Sequence, residues 1–136
     1  MAFNGYNLKV GDYTIPNKYI KYDSWSSILE TLDFDSYRDA NGDLHRNALA
    51  GRKLKVEFNT PYMYKHDFDA LMAGIRSQFV TEEQQREQSA NVTAYIDELG
   101  DYVTQKCYLV NVNAKVAQNS PIGQIYQPTR ICFIAY

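Results

Sequence analysis

The pattern of apolar positions changes period along the chain. In residues 52–59 (RKLKVEFN), Leu54, Val56 and Phe58 alternate with Lys53, Lys55, Glu57 and Asn59. Successive strand side chains point to opposite faces, so this segment reads as a half-buried strand, closed by Thr60-Pro61. Over residues 65–79 the period lengthens: Phe68, Leu71, Met72, Ile75 and Phe79 fall at i, i+3, i+4, i+7 and i+11. That is the apolar stripe of a helix. Asp67 and Asp69 near its start and Arg76 near its end suit the helix dipole. Gly74 weakens its middle by up to about 1 kcal/mol relative to alanine.

Elsewhere the signals are shorter. Residues 1–16 predict one or two strands from Val10, Tyr13 and Ile15, ended by Pro16. In residues 17–36 the apolar positions Ile20, Trp25, Ile28, Leu29 and Leu32 fit helical spacing only loosely. Asp23, Ser24, Ser26 and Ser27 point there to a loop that turns Trp25 inward. Asn41-Gly42 between two extended runs predicts a hairpin over Tyr37–Arg46, with a type I′ turn because Asn and Gly best tolerate positive φ. Residues 81–89 (TEEQQREQS) contain no apolar side chain and predict a solvated loop that could hold a helical turn. Residues 91–96 and 102–116 predict strands joined at Leu99-Gly100-Asp101, and Arg130–Tyr136 a final strand. The near-continuous apolar run of that last strand implies burial on both faces or cover by another subunit. One helix (about residues 65–79) and six or seven strands, mostly in hairpins, predict an α+β fold in a single domain spanning 1–136. Its architecture would be an antiparallel β-sandwich or open barrel with one flanking helix.

The 136 residues suit one domain. Charged residues make up 22% and the net charge is −2, so general attraction to nucleic acid is not expected. The densest basic run is Arg52-Lys53-x-Lys55, which leaves room for a local patch. No apolar stretch is long enough to span a bilayer, and Met1–Gly5 has no signal-peptide character. The two cysteines, Cys107 and Cys132, lie in strand-like apolar runs and read as buried thiols made in a reducing cytoplasm. Tyrosine is abundant at 12 residues, which favours half-buried strands and interfaces.

No pattern of catalytic residues emerges. His45 and His66 lie in different elements and no C-x-x-C accompanies them, so no zinc site is expected. Asp33, Asp35, Asp39, Asn41 and Asp43 surround Gly42. An EF-hand register through Gly42 would put Tyr37 and Ala48 at the two end positions, where carboxylates are required. The cluster reads instead as a polar hairpin tip. Neither a G-x-S-x-G elbow nor a phosphate-binding loop is present. No catalytic residue, metal or cofactor is expected. The aromatics Tyr19, Tyr22, Trp25, Tyr62 and Tyr64 suit a sandwich rim, a subunit contact or, alternatively, sugar stacking.

The motifs Gly11-Asp12-Tyr13-Thr14-Ile15-Pro16, Asp35–Leu49, Leu54–Pro61, Leu71-Met72, Tyr108-Leu109-Val110 and Thr129–Tyr136 together resemble a family of short proteins of phages and prophages of Gram-positive bacteria. The resemblance spans Gly11 to Tyr136. It implies a non-enzymatic virion protein of the tail-tube fold, shared by tail tube, distal tail and baseplate hub proteins, whose subunits assemble into rings. It implies a homo-oligomer with other tail proteins as partners, made in the host cytoplasm and placed in the virion tail, without specific nucleic-acid binding or membrane insertion. The 81–89 segment and the 41–42 tip would be inter-subunit arms. Candidate contact residues are Arg38, Asp39, Asn41, Gly42, His45 and Arg46 of the hairpin, with Ile131, Phe133 and Tyr136 of the last strand. The rival readings are a carbohydrate-binding adhesion module of a phage tail, and an enzyme with a pocket around Cys107 or His66.

Overall fold

The computed structural model describes residues 3–31, 36–46 and 51–136. Its strands are β1 (Leu8–Val10), β2 (Tyr13–Thr14), β3 (Ser26–Glu30), β4 (Tyr37–Arg38), β5 (Leu44–His45), β6 (Lys53–Asn59), β7 (Met63–Tyr64), β8 (Ser89–Ile96), β9 (Asp101–Leu109), β10 (Val116–Ser120), β11 (Gly123–Tyr126) and β12 (Arg130–Ala135). Two helices, α1 (Lys65–Arg76) and α2 (Glu82–Glu87), lie between β7 and β8. A seven-stranded sheet runs β2-β1-β8-β9-β12-β6-β3, and a three-stranded sheet runs β10-β11-β7. Every pairing is antiparallel. The expected α+β sandwich is present, and the sheet does not close into a barrel.

Register separates the two faces of the large sheet. Val56 stands opposite Phe133, and Phe133 opposite Leu109. All three are buried, so this row marks the inner face. Phe68, Leu71, Met72 and Ile75 of α1 complete the core over it. Sequence spacing anticipates this helix, but the helix stops at Arg76 rather than 79. Turn-type bonds from Gln78 N–H to the Ile75 carbonyl and from Phe79 N–H to Arg76 end it, while Phe79 still enters the core.

Two polar bridges tie together strands that are not neighbours in the large sheet. The Ser27 hydroxyl of β3 donates to the Tyr95 carbonyl of β8 at 2.6 Å. The Gln105 side chain of β9 accepts from Leu54 N–H at 2.9 Å and donates to the Arg52 carbonyl at 2.9 Å. These contacts explain why the loop expected around Ser26 and Ser27 is a strand instead. Pairing with β6 satisfies the backbone, and the inward serine finds an acceptor. Trp25 turns inward as expected and packs on Phe58 with ring centroids 6.3 Å apart, although its buried indole N–H has no partner among the described residues.

Three further expectations need correction. The 81–89 segment contains a second helix. Thr81 and Gln84 form a capping box, which satisfies the first free N–H groups without any buried side chain. The strand expected over 102–116 ends at Leu109, where the chain leaves the sheet. After it come β10 and β11, a hairpin the apolar pattern does not reveal because β10 is almost wholly exposed. Finally, the 37–46 hairpin forms, but not on a type I′ turn. Gly42 has φ +82°, whereas Asn41 is absent from the positive-φ positions. Bonds from Gly42 N–H to Asp39 C=O and from Asp39 N–H to Asp43 C=O define a three-residue loop, a type I turn followed by a left-handed glycine.

Candidate assembly surfaces

The β4–β5 hairpin is inserted between β3 and β6, and its tip is organised by one carboxylate. Asp39 Oδ1 accepts from Asn41 N–H at 2.9 Å and from Asp43 N–H at 3.0 Å. Its Oδ2 lies 2.8 Å from His45 Nε2, and the His45 ring stacks on Tyr37 at 4.9 Å. Arg38 donates to the Gly42 carbonyl at 2.9 Å. The hydrogen bond to His45, followed by those to the Asp43 and Asn41 amides, holds the Asp39 carboxyl below its usual range. The structure therefore brings Arg38, Asp39, Asn41 (through its N–H), Gly42 and His45 into one network. Asn41 and Arg46 lie on its exposed surface. Asp33, Asp35, Asn47 and Ala48 lie outside the described residues.

A carboxyl lowered on folding stabilises the fold above its ordinary pKa, and that contribution is lost as pH falls through the lowered value. The hairpin network is thus expected to persist at neutral pH and loosen in acid. The amide shifts of Asn41 and Asp43, followed by NMR titration, would move together as Asp39 protonates. In Asp39→Ala both amides would already sit at their loosened positions at neutral pH. Unchanged amides in that variant would exclude Asp39 as the organiser.

The other candidates divide. Ile131 and Phe133 are 0% exposed and belong to the chain's own core, which corrects their placement at a subunit contact. They alternate badly with a surface role because β12 lies between β6 and β9 with α1 beneath. Tyr136 is 46% exposed. Its hydroxyl donates to Glu87 of α2, and Lys106 Nζ lies 4.6 Å from its ring centre. The bond to Glu87 raises the Tyr136 pKa and lowers that of Glu87.

Sequence reasoning missed two further exposed features. The first is the outer face of the large sheet. Ile28 stands opposite Lys55, Lys55 opposite Ile134, and Ile134 opposite Tyr108. Tyr136 adjoins Tyr108 with centroids 5.7 Å apart. The period-2 pattern of 52–59 already places Lys55 outward, but only strand pairing shows which side chains join it. The second is β10, an edge strand exposed along nearly its whole length. Such edges are templates for pairing with another chain.

The rival readings gain little from the geometry. Burial, with a smaller contribution from Cys132, pushes the Cys107 thiol up to about 12, away from the thiolate a nucleophile needs. His66 is exposed, sits 3.4 Å from its neighbour Asp67 and lines the shallow groove beside Tyr64, where Asp69 is the only carboxylate among the described residues. Of the aromatics considered for sugar stacking, Tyr64 lines a groove of about 660 Å³ between the start of α1 and the β10–β11 turn. Tyr19 and Trp25 pack against the core. Among the described residues, no cluster of three or more His, Cys, Asp or Glu side chains is arranged to hold a metal ion.

None of the curated proteins matches this chain. Among solved structures, a chain in the tail of an empty GTA particle with C6 symmetry has a similar fold. The match covers 99% of this chain and 95% of that one, with a TM-score of 0.50 and 16% sequence identity. At the level of sequence the match is to a whole family and runs from residue 1 to residue 136, so the chain belongs to the family of unknown function DUF6711.

Proposed function

We propose that this protein is a structural component of a phage-type tail, assembling with copies of itself into or onto a ring. One observation carries the reading: nearly the whole chain shares its fold with a chain of a six-fold symmetric tail. Its surface is consistent with that role. An exposed edge strand, an open sheet face and an exposed hairpin are features of a subunit that buries surface against neighbours. A closed ring requires a heterologous contact, one patch meeting a different patch on the next copy. In this reading the hairpin residues Arg38, Asp39, Asn41, Gly42, His45 and Arg46 form an arm to a neighbour, and Tyr136 borders a second contact. The protein acts without catalysis, in the virion tail.

Light scattering across a range of concentrations tests the proposal. The expected result is a discrete ring or a growing tube. A strict monomer at millimolar concentration, with and without other tail proteins, would overturn it. A monomer that binds immobilised glycans would favour the adhesion module instead.

A further inference from the structure

We propose that the open face of the seven-stranded sheet receives the β8–β9 turn of a second copy of this chain. Leu99 would seat on the apolar patch, and Asp97 and Glu98 would meet Lys55 and Lys106. The inference rests on the assembly reading above and names the contact that carries it.

The receiving face combines two properties. Ile28 and Tyr108 are 43% and 36% exposed, Tyr136 is 46% exposed, and Ile134 joins them through the register row. Exposed apolar side chains gathered on one sheet face mark an interaction site. Lys55 lies within the row, and Lys106 lies over the Tyr136 ring. The occupant must therefore bring an apolar side chain and acidic groups together.

The β8–β9 turn does so in three consecutive residues. Asp97, Glu98 and Leu99 are all exposed, and Leu99 is 51% exposed despite being apolar. Hydrogen bonds from Leu99 and Gly100 N–H to the Ile96 carbonyl hold the turn. Glu98 pairs with Arg52 at 3.2 Å, but both side chains are well exposed, so the pair is readily exchanged. Acidic groups flanking an apolar knob match basic groups flanking an apolar patch in both charge and polarity.

The far end of the patch calls for a second copy. Tyr108 lies seven residues along β9 from Asp101, a separation of about 23 Å at the strand rise. The turn of the same chain approaches only the Ile28–Lys55 end, where Glu98 meets Arg52, and the Ile134–Tyr108–Tyr136 end is left to the turn of another copy. Because turn and patch are different surfaces, each copy offers one of each, and the contact runs head to tail.

Charge reversal provides the test. Lys55→Glu with Lys106→Glu is expected to weaken self-association by about tenfold or more, as is Asp97→Lys with Glu98→Lys. Combining all four should restore it to within about threefold of the original. If wild type assembles and the reversed variants assemble equally well, this contact is wrong while the ring reading stands. If wild type stays monomeric, both fall. A second measurement guards against misfolded variants. Leu99→Cys with Ile134→Cys, oxidised after assembly, is expected to give a ladder of disulfide-linked multimers, since both native cysteines are buried. Either single variant should stop at dimers. An assembled double variant that gives no ladder overturns the inference.

Discussion

Replacing Phe133 with alanine is expected to cost about 3–5 kcal/mol of folding stability. The ring is fully buried between Val56 and Leu109 on the inner face of the sheet, in the core that α1 covers. Removing it deletes apolar contacts and leaves a cavity that strands on both sides cannot close. A domain of this size has about 5–15 kcal/mol in total, so the variant would populate the unfolded state at modest denaturant. Ile134, one residue along, points to the outer face, and Ile134→Ala is expected to cost less than about 1 kcal/mol. Urea unfolding of both variants checks the contrast. A Phe133→Ala protein of normal stability that fails to assemble would return Phe133 to an interface role.

The second large effect reverses a rule read from the sequence. Gly74 sits in the middle of α1, where alanine ordinarily adds about 1 kcal/mol of stability. A β-carbon there would lie 2.4, 2.5 and 2.7 Å from three atoms of the Tyr13 ring. Tyr13 belongs to β2, and its ring packs directly on the helix backbone. Burial, and to a lesser degree Tyr19, raises the pKa of its phenol. Gly74→Ala is therefore expected to destabilise by about 1–3 kcal/mol through overpacking. In a Tyr13→Ala background the same change should become neutral or stabilising, because the obstruction is gone. Thermal or urea denaturation of the four proteins in that cycle decides it. A gain in stability from Gly74→Ala alone would show that the close approach is relieved without cost.

These two sites also show where sequence reasoning reaches its limit. The helical stripe of Phe68, Leu71, Met72 and Ile75 is local, and those four residues are buried as the spacing predicts. Gly74 looks like a weak point in that helix because its reason is a residue 61 positions earlier. The apolar run in β12 correctly indicates burial on both faces at Ile131, Cys132 and Phe133. It cannot tell cover by α1 from cover by another subunit, since both satisfy the same hydrophobic pattern. The capping box at Thr81 and Gln84 is legible in principle from its spacing, but the lack of apolar residues hides the helix behind it. The β10–β11 hairpin has a turn signal in Pro121 and Gly123 but no alternating face, because it packs little.

By itself, the sequence determined the elements whose instructions are local. They are the strand at 53–59, the helix from Lys65, the tight turn at Gly42 and the buried thiols, together with an antiparallel α+β class. Tertiary structure decided which of these elements adjoin. It paired β12 with β6 and β9, and so sent Phe133 to the core and Ile134 to the surface. It set Tyr13 against Gly74 and collected Ile28, Lys55, Ile134 and Tyr108 from four strands into one row. The physical reason is range. Dihedral preference and side-chain periodicity act over a few residues, whereas a surface is made by register between strands whose order the local pattern does not encode.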